Sequence, residues 1–203
     1  MKIICIGRNY VQHAKELNNP IPERPIWFMK PETAMITKNK PFFHPEFSQE
    51  IHFETELVYR ICKVGKYIEE QFSHTYYDAI GVGFDFTARD LQTECKVKGL
   101  PWEPAKAFDG SAPISDFIAV AKLGDLKDIQ FSMKKNGEVM QQGNSKDMLF
   151  SIDRIIAYVS QFVTLKIGDL IYTGTPAGVG PIEIGDTLEA FIGDKSMLKT
   201  QIK

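Results

Sequence analysis

The sequence predicts one mixed, β-rich α+β domain, and three observations carry that reading. Short apolar or alternating runs bounded by turn residues outnumber helical patterns along the chain. A long amphipathic stripe occurs once, in Ser151–Val163. No linker or low-complexity stretch divides the 203 residues, and 43% hydrophobic content is enough to bury one substantial core, so 1–203 reads as a single unit.

The elements follow in order. Ile3–Ile6 reads as a first strand that ends in the turn Gly7-Arg8-Asn9. Asn9 then stands where a cap belongs for a short helix running through Leu17 and stopping at Asn18-Asn19-Pro20. Ile26–Lys30 is apolar and extended, closed by Pro31, and Glu54–Cys62 is a further strand. The polar stretch Glu69-Glu70-Gln71-Phe72 leads into a short helix, Ile80–Thr87 reads as a buried strand, and Asp90–Lys98 as a helical turn broken by Gly99-Leu100-Pro101-Trp102. Ile129–Met133 alternates with period two, and Asn136-Gly137 turns it back into Glu138–Gln141 through a type I′ hairpin. In Ser151–Val163 the residues Ile152, Ile155, Ile156, Val159, Phe162 and Val163 form one face, with Ser151 as cap. Ile167-Gly168-Asp169 and Ile184-Gly185-Asp186 are turn signals, each entering a strand.

Chemistry concentrates in three acids. On a strand, Glu54 and Glu56 point their carboxylates to one face. Asp85 lies in the apolar run Val82-Gly83-Phe84-Asp85-Phe86, where β-propensity and the cost of burying a charge both disfavour it. A divalent cation is the simplest partner that compensates three acids at once, and an all-oxygen set suits Mg²⁺, Mn²⁺ or Ca²⁺ rather than zinc. The pattern points to a metal-dependent enzyme.

Other classes lose support. A formal net charge of -2, from 24 basic and 26 acidic residues, provides no basic stripe for nucleic acid and no polybasic membrane signal. The apolar start Met1–Ile6 is too short for a signal peptide, and no stretch reaches membrane-spanning length. Three cysteines without CxxC spacing suggest reduced thiols in a cytoplasm. Thr173–Gly180 is glycine-rich enough to approach an anion but lacks a P-loop ending, and Gly81-x-Gly83 does not continue to a dinucleotide fingerprint. His13 and Glu16, three apart on the early helix, share a face on which an acid orients an imidazole that activates water, although such pairs are common on solvated surfaces. Lys106, among small and apolar residues, is suited to answering the acids or stabilising an oxyanion; Lys30 also ends an apolar strand. His52 shares the predicted face of Glu54 and would support it from behind.

Taken together, Gly7-Arg8-Asn9-Tyr10 with His13 and Glu16, Lys30-Pro31, Glu54-Thr55-Glu56-Leu57, Asp85 through Gln92, Lys98 through Trp102, Lys106-Ala107-Phe108 and Thr173-Gly174-Thr175-Pro176 form an ordered set. In that set the chain resembles the fumarylacetoacetate hydrolase family, in particular its single-domain acylpyruvate hydrolase branch. The resemblance implies a rolled, mixed β-sheet fold with a few flanking helices, in a homodimer. It implies that Glu54, Glu56 and Asp85 bind Mg²⁺ or Mn²⁺, that His13 and Glu16 activate water on a helix closing over the site, and that Lys106 acts beside them. Gln92 and Thr175, with Arg8 and Lys30, would line the substrate pocket. The N-terminal domain of true fumarylacetoacetases has no counterpart here, which turns the expectation away from that substrate. Asp109-Gly110 stands where relatives carry small or hydroxylated residues.

Three carboxylates and one divalent cation leave one net negative charge, so a small anionic 2-oxo acid needs Lys30, Lys106 or Arg8 nearby. Such an acid chelates the metal, which stabilises the enolate as a Lewis acid. The expectation is therefore a hydrolase that cleaves acylpyruvate-type 2,4-dioxo acids to pyruvate and a carboxylic acid through that metal-bound enolate. The alternatives are an oxaloacetate decarboxylase, a 2-hydroxyhepta-2,4-diene-1,7-dioate-type isomerase or tautomerase, and a non-catalytic 2-oxo-acid or oxalate-binding protein. The His13/Glu16 pair argues against the last, because a binder has no use for a poised water.

Overall fold

The computed structural model describes residues 1–16 and 20–203, and in it the strand-forming runs assemble into four sheets. The largest has six strands in the order Ile26–Lys30, Ile3–Gly7, Leu170–Tyr172, Thr55–Ile61, Tyr77–Phe84 and Ile118–Ala119. Ile3–Gly7 runs parallel to Leu170–Tyr172 and the other neighbours are antiparallel, so the sheet is mixed. The second sheet has four antiparallel strands, Glu138–Asn144, Gln130–Lys135, Thr187–Ile192 and Lys195–Gln201. Small sheets of three strands (Gly180–Pro181, Ile51–Phe53, Thr87–Ala88) and two strands (Met35–Ile36, Ala112–Pro113) complete the β structure. Asn136 and Gly137 both take positive φ, 54° and 90°, as the type I′ hairpin requires.

Alternation decides which residues meet which core. Ile4, Ile6, Leu57, Tyr59 and Ile61 face the main core, together with Phe131, Met133, Leu188 and Leu198 of the four-stranded sheet. Ile3, Cys5, Val58, Leu170 and Tyr172 face a smaller core on the other side. By the same period Glu56 falls on the face of Val58, the side on which the acids gather. Gly81 and Gly83 are packing positions rather than a nucleotide signal: a Cβ at Gly83 would stand 2.8 Å from Pro113 O and Tyr172 Oη.

Two predicted strands are interrupted where the acids stand, and the reason bears on function. Glu54 interrupts the run between Ile51–Phe53 and Thr55–Ile61, and Asp85 lies between Tyr77–Phe84 and Thr87–Ala88. Both chains leave the six-stranded sheet at one level: Thr55 pairs with Phe84, the Asp85 amide then donates to Glu54 O at 2.8 Å, and both continue into the three-stranded sheet. Asp85 thereby avoids the strand interior that disfavours it.

Among the described residues four α-helices flank the sheets: α1 (Val11–Glu16), α2 (Arg89–Lys98), α3 (Glu103–Lys106) and α4 (Ile152–Val159). Ser151 caps α4 through Oγ, which accepts from the Arg154 amide at 3.2 Å. At eight residues α4 is too short to persist alone, and burial of Ile152, Ile155, Ile156 and Val159 holds it, at roughly 1.5–3 kcal/mol per side chain. It ends before the predicted Val163, and Phe162 lies outside the buried stripe, 54% exposed. Gly99 stops α2 in the left-handed conformation, φ 66°. No helix among the described residues is long and apolar enough to cross a membrane.

Candidate active site

The break shared by the two strands gathers Glu54, Glu56 and Asp85: one carboxylate oxygen from each lies within 4.8 Å of the other two, and all three residues are buried. Cations surround two of them. Lys106, delivered by the last turn of α3, donates to Glu54 Oε2 and Asp85 Oδ2, each at 2.8 Å. Arg89, at the start of α2, donates to Glu54 Oε1 at 2.8 Å and to Gln92 Oε1 at 2.7 Å. Lys30 Nζ lies 2.8 Å from Asp85 Oδ1 but directs its hydrogens to the carbonyls of Phe86, Lys106 and Ser111 and to Ser111 Oγ. Lys30 is thus a buried clamp, 2% exposed, that ties Asp85 to the segments carrying Lys106 and Ser111. Among the described residues Glu56 pairs with no ammonium, and it accepts from the Gly174 amide at 2.7 Å.

The electrostatics follow from these partners. Burial works to raise the Glu54 pKa, but Lys106 and Arg89 overcome it and hold the carboxyl below the usual carboxylate range. Burial also raises Glu56, and there the neighbouring Asp85 and Glu54 charges add to it, so its carboxyl sits well above its ordinary value. Lys106 is driven down by burial and up, more strongly, by Asp85 and Glu54. Two features fit a divalent cation. Asp85 Oδ1 is a buried acceptor with no aligned hydrogen bond, and three converging acids are the hard donor set such ions take. Three protein cations already offset the three carboxylates, so a loaded site is positive overall, a more attractive field for an anion than the acids and metal alone provide.

Over the cluster lies α1, which contributes His13 and Glu16. His13 is 5% exposed, and its Nδ1 is 3.1 Å from Glu16 Oε2. The second Glu16 oxygen, Oε1, accepts from the Gly178 amide at 3.0 Å, fastening the helix to the Thr173–Gly180 loop. Gly178 has φ 95°, and a Cβ there would stand 2.3 Å from Met140 O, so only glycine presents this amide. Asn9 is not the cap of α1. Its side chain is buried and bonds Phe150 O, Thr173 O and the Phe150 amide at 2.8–3.0 Å, anchoring the chain just before the helix. The predicted stop at Leu17, Asn18 and Asn19 lies outside the described residues. Within α1 only His13 and Ala14 are buried. Such thin packing makes local opening cheap, so amides of residues 11–16 are expected to exchange hydrogen quickly in the free protein and slowly with oxalate bound. Equal protection in both states would make α1 a fixed wall.

His13, Arg8, Gln92, Glu54, Asp85 and Lys106 line one cavity with Lys96, Arg89, Phe28 and Trp102. Its volume is about 30 Å³, room for a water or two, so a larger ligand enters only if a wall moves. Arg89, Gln92 and Lys96 share one face of α2 by their spacing of three and four. Arg8 and Lys96 make no hydrogen bond or ion pair among the described residues, and Arg8 takes φ 60°. Thr175 does not line this cavity; it follows Gly174 on the Glu56 side, buried, and accepts from Gln141 Nε2 at 2.8 Å. His52 pairs with Glu50 at 3.0 Å instead of supporting Glu54, because Glu54 sits at the strand break and the alternation does not carry across it. Sequence reasoning missed the roles of Arg89, Lys96 and Gln141. The first two were findable from their spacing to Gln92, whereas Gln141 arrives from the other sheet and leaves no local signal.

The family model described as fumarylacetoacetate (FAA) hydrolase C-terminal matches residues 2–203. The chain belongs to the fumarylacetoacetate hydrolase family. It is 42% identical over 201 residues to the mitochondrial oxaloacetate tautomerase FAHD1 of Mus musculus, covering 99% of this chain and 91% of that protein. It is 43% identical over 188 residues to the oxaloacetate tautomerase YcgM of Escherichia coli, covering 92% and 86%. Among solved structures, fumarylpyruvate hydrolase from Pseudomonas aeruginosa in complex with Mn²⁺ and pyruvate superposes with a TM-score of 0.94 at 33% identity, covering 100% of this chain and 89% of that one. The expected β-rich α+β fold is thus that of the family, whose members include tautomerases and hydrolases.

Proposed function

We propose that this family member is a divalent-metal-dependent enzyme of 2-oxo dicarboxylates whose main reaction is the enol–keto tautomerisation of oxaloacetate. The observation that carries the reading is the wall formed by half-buried Arg8 and exposed Lys96, two cations whose side chains have no partner among the described residues, in the cavity that holds His13, Glu54 and Asp85. A second substrate carboxylate needs such partners; an apolar acyl chain does not. The oxaloacetate tautomerases at 42–43% identity support the same substrate class.

Glu54, Glu56 and Asp85 would hold Mg²⁺ or Mn²⁺, with Ca²⁺ as a substitute. When bound, that ion supplies Lewis-acid stabilisation of charge on the 2-oxo oxygen. Lys106 holds the Glu54 carboxyl below the usual carboxylate range and orients both Glu54 and Asp85, and Lys30 fixes Asp85 from behind. Glu16 accepts from His13 Nδ1–H, which leaves the Nε2 lone pair to carry one proton between C3 and the enol oxygen: the O–H bond breaks as the C3–H bond forms, and the reverse in the other direction. Arg8, Lys96 and the Gln92 amide bind the carboxylates, and closure of α1 keeps bulk water out.

Hydrolysis of acylpyruvates is the second reading, favoured by the His13/Glu16 pair, which serves equally as a base for water. A panel with Mg²⁺ or Mn²⁺ separates the reactions. Rapid loss of oxaloacetate enol absorbance without pyruvate release is the expected result. Pyruvate from oxaloacetate would instead mean decarboxylation, and faster turnover of acetylpyruvate or fumarylpyruvate would put hydrolysis first. A homodimer in a reducing compartment such as the cytoplasm completes the proposal, with light scattering as the check on assembly.

A further inference from the structure

Gln141 is buried, 1% exposed, and lies on the strand Glu138–Asn144 of the four-stranded sheet, outside every segment that carries the acids. A bulge beside it, where Met133 pairs with Gln141 and Lys134 with Val139, leaves Met140 unpaired and re-aims the strand. The Gln141 side chain then makes three hydrogen bonds. Its Oε1 accepts from the Thr55 amide at 3.0 Å, and its Nε2 donates to Thr175 Oγ1 at 2.8 Å and to Pro176 O at 2.9 Å. The orientation of the amide is fixed by chemistry, because a backbone N–H can only donate and a carbonyl can only accept.

That fixed orientation has a consequence for Thr175. Its hydroxyl accepts from Gln141 and, among the described residues, donates to nothing, although Thr175 is only 3% exposed. A buried hydroxyl whose proton lacks an acceptor is costly unless a ligand supplies one. We infer that Gln141 is a positioning residue: by occupying Thr175 as a donor, it commits the Thr175 hydroxyl proton to a substrate carboxylate that reaches the Glu56 side of the acid cluster when the cavity opens, across from the wall of Arg8, Lys96 and Gln92. Through Thr55 it also fixes the peptide between Glu54 and Glu56, so one side chain sets the metal-binding strand and the substrate-binding loop in register. The inference rests on the proposed binding of an anionic 2-oxo acid.

The test is a double-mutant cycle on oxalate affinity, measured by calorimetry on the Mg²⁺-loaded protein. In Gln141→Glu the new carboxylate accepts the Thr175 proton and withdraws it from the ligand. Gln141→Glu and Thr175→Val are each expected to weaken oxalate at least tenfold, and the double variant to be no weaker than the weaker single. Thr175→Ser, which keeps the hydroxyl, should stay within about twofold of wild type. If Gln141→Glu does not fold, Gln141→Met serves: the freed hydroxyl turns to Pro176 O, oxalate binds several-fold more weakly, and Thr175→Val adds nothing. Unchanged affinity in either Gln141 variant, or losses that multiply in the double variant, would overturn the role of Gln141. Wild-type protein that fails to bind oxalate would instead overturn the substrate reading on which it rests.

Discussion

Asp85→Asn is expected to destabilise the metal-free protein by about 3–5 kcal/mol, whereas Glu56→Gln, in the same cluster, leaves its stability unchanged or raises it. The opposite outcomes follow from the partners. Asp85 faces two buried ammonium groups, Lys30 and Lys106, each 2.8 Å away; neutralising it takes from Lys30 the carboxylate beside it and leaves Lys106 with Glu54 alone. Glu56 faces the Glu54 and Asp85 carboxylates with one backbone amide in compensation, and that amide can bond a glutamine oxygen as well. Removing its charge relieves repulsion and leaves no donor unpaired. Both variants should lose activity and lose the rise in melting temperature that Mg²⁺ or Mn²⁺ gives the wild type, about 2.7 kcal/mol of stabilisation at a hundred times Kd. Denaturant titrations of both variants with and without metal measure the stabilities and the metal response, and loss of enol absorbance measures the activity. A metal response intact in both variants would remove the acids from the metal site; two equal destabilisations would mean that Asp85 and Glu56 are held alike, against the contrast between their partners.

How much of this was legible in the sequence depends on the range of the interaction. Glu54 and Glu56 sharing a face is a local consequence of alternation, and it holds although the strand breaks at Glu54, because Thr55–Ile61 sets the orientation of Glu56 and the break turns Glu54 toward it. The amphipathic stripe of α4, the Asn136-Gly137 turn and the glycine stop of α2 are local in the same sense. Asn9 shows the limit. Its residue type fits a helix cap, but three partners more than 140 positions away claim the side chain. The tertiary bonds win because Asn9 is fully buried beside Phe150 O, Thr173 O and the Phe150 amide, buried groups that would lose a partner if the side chain turned to cap the helix. The family resemblance implies Lys30 in the substrate pocket; its donors are instead consumed by carbonyls of segments 56 to 81 positions away. The acid cluster could be read from residue types, but the network that holds it belongs to contacts between sheets.

The two carboxylate oxygens of Glu16 do different things, and two substitutions are expected to separate them. Glu16→Ala removes both the His13 contact and the Gly178 latch. Glu16→Gln can keep the latch, since its amide oxygen still accepts from Gly178, but it then turns an NH₂ group toward His13 Nδ1. An NH₂ can only donate, so the imidazole must carry its proton on Nε2 and loses the lone pair that would exchange the C3 proton. Glu16→Gln is therefore expected to lower kcat by about 10²–10⁴, close to the effect of His13→Ala, while oxalate still binds and still protects the amides of residues 11–16. Glu16→Ala should show the same loss of kcat together with lost protection and a raised KM, because the helix no longer closes. The metal-induced thermal shift should survive in all three variants, since neither His13 nor Glu16 bonds the acid cluster. A Glu16→Gln enzyme with wild-type kcat would refute the imidazole as proton carrier. Identical exchange profiles for Glu16→Gln and Glu16→Ala would refute the latch, leaving Glu16 only its contact with His13.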